Sequence, residues 1–133
     1  MTRPSLADGQ WRLEFRGCAC PAPLLDRASV LEMLCQQCLR ENDIDAAQVR
    51  FFQFLPRGSA GTAVMPQGRL ALHTWPEQKL VSVFVSLTGT TSAQRFQVHS
   101  LLETLVAYFR PQETFCESQP SEPAKFEPLE ALA

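Results

Sequence analysis

The chain has 133 residues, 45% hydrophobic and 20% charged, enough for one domain around a single core. Its net charge of −2 and its lack of a basic block exclude a phosphate-tracking surface, so no nucleic acid is expected as a partner. No apolar run approaches the ~20 residues that span a bilayer, and the opening MTRPSLADGQW lacks the apolar core of a signal peptide; no membrane contact and a cytoplasmic location are the expectations.

Residues 1–9 read as a flexible lead. Gln10 to Arg16 alternates as a strand, with Trp11, Leu13 and Phe15 on one face. Gly17 to Pro23 reads as a loop. Ser29 with Glu32 forms a capping box for a helix running to about Glu41. Ala47 to Leu55 is a second strand, with Val49, Phe51, Gln53 and Leu55 on one face and Arg50, Phe52 and Phe54 on the other. Thr62 to Met65 and Arg69 to Thr74 form a hairpin around a Gln67-Gly68 turn. Lys79 to Leu87 is β-branched and alternates strongly. Thr91 or Ser92 caps a second helix, whose buried stripe is Val98, Leu101, Leu102, Leu105, Val106 and Phe109. Glu113 to Cys116 adds an edge strand. The order β-α-β-β-β-β-α-β predicts an α+β two-layer sandwich, an antiparallel sheet with both helices on one face. The domain is expected over 10–117, followed by an acidic, Pro-rich tail over 118–133 expected to be disordered.

Five cysteines argue against a closed disulfide framework. Cys18 and Cys20 form C-x-C, and Cys35 and Cys38 form C-x-x-C, so together they can be read as a four-thiolate zinc scaffold. The competing reading places Cys35 and Cys38 on the apolar helix face with Leu31 and Leu34 as ordinary core residues.

The densest chemistry lies in Phe54 to Glu77, FLPRGSAGTAVMPQGRLALHTWPE. A histidine, a tryptophan and a carboxylate (His73, Trp75, Glu77) close its second strand. Each has a bland alternative: Phe54 as sheet packing, His73 as a hydrogen-bonded core residue, Trp75 as a shaper of the strand end, Glu77 as a solvated turn residue. His99, mid-helix, reads as structural. A reading as an enzyme of different chemistry would set His73 and Glu77 to acid–base work, with Arg69 pairing an anionic group.

These residues resemble the S-adenosylmethionine decarboxylase proenzyme family of bacteria and archaea. The resemblance spans roughly 10–117 and is carried by Phe54-Leu55-Pro56, Gly58, Gly61, Leu70, His73-Thr74-Trp75-Pro76-Glu77, Gly89 and the LEFRGC segment at Leu13–Cys18. It implies decarboxylation of S-adenosylmethionine for polyamine (spermidine) synthesis, by a pyruvoyl group that the chain makes from its own serine in a Glu-Ser-His motif. It also implies roles. Phe54 corresponds to the aromatic that stacks on adenine, Glu77 to a substrate-holding carboxylate, His73 to the histidine that assists self-processing, and Trp75 to the motif's aromatic.

Three family positions differ. Glu-Ser-His is here Gln67-Gly68-Arg69, and Gly68 has no hydroxyl for the acyl shift. The processing serine corresponds to Ala60, with Ser59 one position away. The catalytic acid cysteine corresponds to Thr88, a far poorer proton donor. No cofactor, and no pyruvoyl group, is therefore expected. The resulting expectation is a pseudoenzyme that binds S-adenosylmethionine or a related nucleoside or amine through Phe54, His73, Trp75, Glu77 and Arg69. It would act as a homodimer or as a heterodimer with an active homologue, where the Phe52, Phe54 and Phe84 faces suit a sheet-to-sheet contact. An active decarboxylase would require cleavage at some other position, visible as two fragments in place of one 14.9 kDa chain.

Overall fold

The alternating segments become strands of one antiparallel sheet: β1 (Gly9–Arg16), β2 (Gln48–Gln53), β3 (Ser59–Met65), β4 (Gly68–Trp75), β5 (Leu80–Leu87) and β6 (Glu113–Gln119). Their spatial order is β2-β3-β4-β5-β1-β6. The computed structural model describes residues 6–46 and 48–119. Helices α1 (Ala22–Asp26), α2 (Ala28–Glu41) and α3 (Ser92–Phe109) complete the two-layer architecture expected from the element order.

Period-2 alternation decides which face is buried. Leu13, Phe15, Leu70, Leu72, Val81, Val83, Val85 and Leu87 point toward the helices and are buried with Leu31, Leu34, Cys35 and Cys38 of α2 and Val98, Leu101, Leu105 and Phe109 of α3. Phe15 and Phe109 meet across the layers with ring centroids 5.9 Å apart. Among the described residues, the opposite face of the sheet carries no helix, and it exposes Phe52, Phe84 and Phe115.

Several local expectations shift. The first long helix has no Ser29–Glu32 box: it begins at Ala28, Arg27 caps it without a side-chain bond, and the Ala28 N–H donates to Gln53 Oε1 at 2.7 Å. A tertiary partner has replaced the local cap. The capping box that does form is Thr91 with Gln94, at α3. The expected Gly17–Pro23 loop ends early: α1 starts at Ala22, and its Leu24 and Leu25 bury against the core. The hairpin turn is Pro66-Gln67, and Gly68 already belongs to β4, opposite both Met65 and Leu87. Residues 6–9 are not a free lead: Leu6 is buried, and the Asp8 carboxylate accepts from the Gly89 N–H at 2.9 Å and from the Thr90 N–H and hydroxyl. Those bonds, the Thr90 hydroxyl first, hold the Asp8 pKa below its ordinary value. Ser118 and Gln119, expected to open the tail, are the end of β6; the tail from 120 lies outside the described residues.

Candidate functional site

Strand register sorts the sequence-derived site residues. On β4, Arg69, Ala71, His73 and Trp75 face the open side, while Leu70, Leu72 and Thr74 face the core. Ala60 of β3 and Ser82 of β5 stand opposite His73, and Phe52 of β2 stands opposite Ala60.

Phe54, His73 and Trp75 form a continuous aromatic cluster. The His73 ring lies 4.0 Å from Trp75, nearly parallel, and 5.3 Å from Phe54 at a tilt. Phe54 (40%) and Trp75 (38%) are both partly exposed to solvent. Burial lowers the His73 pKa, because imidazolium loses more solvation than imidazole. A neutral His73 near pH 7 is therefore a planar stacking surface with one donor and one acceptor nitrogen. Beside the stack, a shallow cavity of about 500 Å³ opens between Phe52 and Phe84, floored by Ala60 and Ala71 and edged by Arg12 and His73. Small side chains at 60 and 71 leave this space. Glu77 is exposed on the 3-10 turn Pro76–Gln78 that follows Trp75.

Two residues that the sequence reading left without a role position this stack. Thr74 is buried on the helix side, where its hydroxyl accepts from the Ser59 N–H at 2.9 Å and donates to the Leu25 carbonyl at 2.8 Å. That pins the end of β4 to β3 and α1, so His73 and Trp75 are held outward. Gln53 reaches the carbonyls of Asp26, Phe54 and Gly58, each within 2.9 Å, and fixes the loop that carries Phe54. The Phe54 N–H closes this loop on the Gly58 carbonyl at 2.8 Å, with Gly58 at φ +103°. A Thr within His-Thr-Trp-Pro-Glu was the only available signal for the first residue; Gln53 offered none.

The remaining site residues lie elsewhere. Gly68 and Arg69 begin β4, and Gly68 stands five residues from His73, about 16 Å along an extended strand. Thr88 sits at that distant end, where its N–H donates to the Gln67 carbonyl at 3.3 Å. Arg69 is four residues from His73, about 13 Å along the strand, so the arrangement does not bring it to a common centre with His73 and Glu77. Ser59 does not stand in for Ala60: its side chain is fully buried on the helix side, and its hydroxyl has no partner.

The Gly68 end does not fit a pyruvoyl group. Beyond the missing hydroxyl, Gly68 has φ +149°, and a Cβ there would overlap the Ser86 carbonyl oxygen and stand 2.9 Å from its carbon. Position 68 thus lacks both the nucleophile and the room for one. The neighbouring Gln67 is buried, and its amide donates to Gln97 Oε1 at 2.7 Å.

The zinc reading is also not supported by geometry. Among the described residues, no three His, Cys, Asp or Glu side chains cluster as metal ligands. Burial pushes the thiols of Cys18, Cys35 and Cys38 up to about 12, so they remain protonated core groups. Cys20 is half-buried.

A single antiparallel sheet with the described helices on one face and the aromatic cluster on the other defines an α+β sandwich. Residues 10–119 match the family model for S-adenosylmethionine decarboxylase, and the chain belongs to that family. It is 29% identical over 87 residues to the S-adenosylmethionine decarboxylase proenzyme of a Hydrogenobaculum species, covering 62% of this chain and 65% of that one. It is 31% identical over 70 residues to the same-named protein of Acetivibrio thermocellus, covering 53% and 56%. These alignments span less than two thirds of either relative. The fold is similar to the crystal structure of adenosylmethionine decarboxylase from Aquifex aeolicus, with a TM-score of 0.70 and 19% identity, over 85% of this chain and 91% of that one.

Proposed function

We propose that this chain is a member of the S-adenosylmethionine decarboxylase family that neither self-cleaves nor makes a pyruvoyl group. In this reading it retains a nucleoside-binding half-site. The observation that carries it is the contrast between the two ends of β4. At one end the stacked His73 and Trp75 rings, with Phe54 tilted against His73, stand beside a cavity; at the other, Gly68 bars the precursor serine. A nucleoside base suits the first end because stacking on aromatic planes does not require a charged partner. Glu77 is near enough in sequence to Trp75 to meet a cationic or hydroxylated part of the same ligand.

The helix-free face supports a second part of the reading: pairing with another copy or with an active homologue. Phe52, on the edge strand β2, is 63% exposed and Phe84, on the interior strand β5, 46%, large aromatics left open on a face without a covering layer among the described residues. The ~16 Å along β4 from Gly68 to His73 means that one chain does not gather all the family positions at one centre. A face-to-face partner would bring its own chemical end toward this chain's aromatic end.

Calorimetry with S-adenosylmethionine, its decarboxylated form and polyamines tests the ligand reading. Binding by one of them, weakened about tenfold in Phe54→Ala as expected for one lost stacking contact, supports it. No heat at millimolar ligand sinks it. Mixing with an active homologue tests the partner reading, which fails if neither the rate nor the oligomeric mass changes.

A further inference from the structure

Strand register maps the charges of the open sheet face. On the β1 and β6 side, carboxylates offset the arginines: Glu14 bonds both Arg12 and Arg16, Glu117 stands opposite Arg12, and Glu113 stands opposite Arg16. Strands β2 to β5 contain no acidic residue. Their charged residues are Arg50 and Arg69, both exposed, and among the described residues no carboxylate lies in ion-pair contact with either.

Both arginines share a face with the cavity, because directly opposed residues, and residues two apart on a strand, point the same way. Arg50 stands opposite Thr62 and continues the row Thr62, Ala71, Phe84 that lines the cavity. Arg69 lies two residues before Ala71 on β4. Strand spacing and rise set the two arginine Cα atoms about 12 Å apart, so two long side chains can meet on one group between them. His73 and Trp75 lie on the other side of Ala71, and the exposed Glu77 lies beyond Trp75. The site therefore has a direction: aromatic planes at one end, guanidinium groups at the other, and its carboxylate behind the planes.

Charge then selects the ligand. S-adenosylmethionine is a net cation at neutral pH, through its sulfonium and amine, and polyamines are more so. Two guanidinium groups facing the cavity oppose such ligands. A phosphate instead offers each planar fork a pair of acceptor oxygens. We infer that the half-site takes a nucleoside phosphate, its base on Phe54, His73 and Trp75 and its phosphate between Arg50 and Arg69. This rests on the nucleoside-binding reading given above and changes the charge of the ligand from cationic to anionic. The Phe52–Phe84 cavity receives the sugar, and Glu77 stays clear of the phosphate because it lies past the far end of β4.

Calorimetry on the full chain compares adenosine, adenosine 5′-monophosphate and S-adenosylmethionine as probes, with the parent, Phe54→Ala and the double variant R50Q/R69Q. The monophosphate should bind at least about tenfold more tightly than adenosine, the effect of one charge-assisted hydrogen bond, and more tightly than S-adenosylmethionine. R50Q/R69Q should bring adenosine and its monophosphate level, and Phe54→Ala should weaken both. Raising salt to about 0.5 M should narrow the gap in the parent with no substitution at all, because exposed charges are screened. Equal binding of adenosine and its monophosphate, or tighter binding of S-adenosylmethionine, overturns the anion preference and leaves the nucleoside reading standing. A gap that survives R50Q/R69Q or high salt overturns the two arginines as its source, and the inference with them. Monophosphate binding that Phe54→Ala leaves unchanged overturns the seat of the base. No heat with any of the three probes overturns the nucleoside reading and the inference together.

Discussion

Replacing Gly68 by serine returns the hydroxyl that the family's chemistry uses, and the structure predicts that self-cleavage will not return with it. A side chain at 68 meets the Ser86 carbonyl directly, and the backbone is at φ +149°, a conformation that side-chain-bearing residues rarely adopt. The backbone strain costs ~1–3 kcal/mol, and forcing extra volume against fixed atoms costs a similar ~1–3 kcal/mol. A loss of about 3 kcal/mol is expected, because partial opening of the Gly68–Leu87 pair relieves some of both. For a chain of this length that lowers Tm by roughly 10 °C. Circular dichroism melts of Gly68→Ser and Gly68→Ala, with intact mass after prolonged incubation, provide the assay. Both variants should lose similar stability, since the Cβ and not the hydroxyl causes the clash, and both should stay single chains. A Gly68→Ser protein as stable as its parent, or one that separates into two fragments, would refute the reasoning.

Three further outcomes follow from the site. Thr74→Val should cost about 3 kcal/mol, because it leaves the Ser59 N–H and the Leu25 carbonyl buried without their partner, whereas Thr74→Ser should retain most of the stability; chemical denaturation of the two distinguishes a lost hydrogen bond from lost volume. Because burial depresses the His73 pKa, the unfolded chain binds that proton more readily. The stability associated with neutral His73 is thus complete above its ordinary value of 6.5 and declines as pH falls through 6.5 toward the folded value. His73→Phe should flatten that part of the pH–stability curve, and an unchanged curve would remove His73 as its source. Brief alkylation at pH 8 should modify the exposed Cys116 first and spare Cys18, Cys35 and Cys38, whose thiols are held protonated by burial; rapid loss of the Cys35 and Cys38 thiols in the folded protein would contradict their place in the core.

Much of the layer arrangement was legible in the chain. Strong alternation over Leu80–Leu87 and Trp11–Phe15 names a buried face without any knowledge of partners, since side chains on a strand alternate whatever it pairs with. The α3 stripe and its Thr91 cap were equally local. The α2 cap was not, because its acceptor is Gln53, 25 residues away. For the same reason α1 was missed: a five-residue helix with no side-chain cap leaves little local signal, and its Leu24 and Leu25 are buried only once the sheet is beneath them. The site divided likewise. The aromatic trio could be named from His-Thr-Trp-Pro-Glu and the preceding Phe54, but its cohesion depends on Thr74 and Gln53 binding groups distant in sequence.

By itself the sequence determined that position 68 has no hydroxyl, because composition at one residue is a chemical fact independent of fold. Only the tertiary structure decided that position 68 also has no room, since the obstructing carbonyl belongs to Ser86, on a strand brought alongside by β4–β5 pairing. Tertiary packing likewise turned Ser59 toward the helices and spread Cys18, Cys20, Cys35 and Cys38 so that they form no metal cluster among the described residues. It also set Gly68 and His73 at opposite ends of one strand. Spacing in sequence counts residues; distance between side chains depends on the strand's rise and on which neighbours it pairs with.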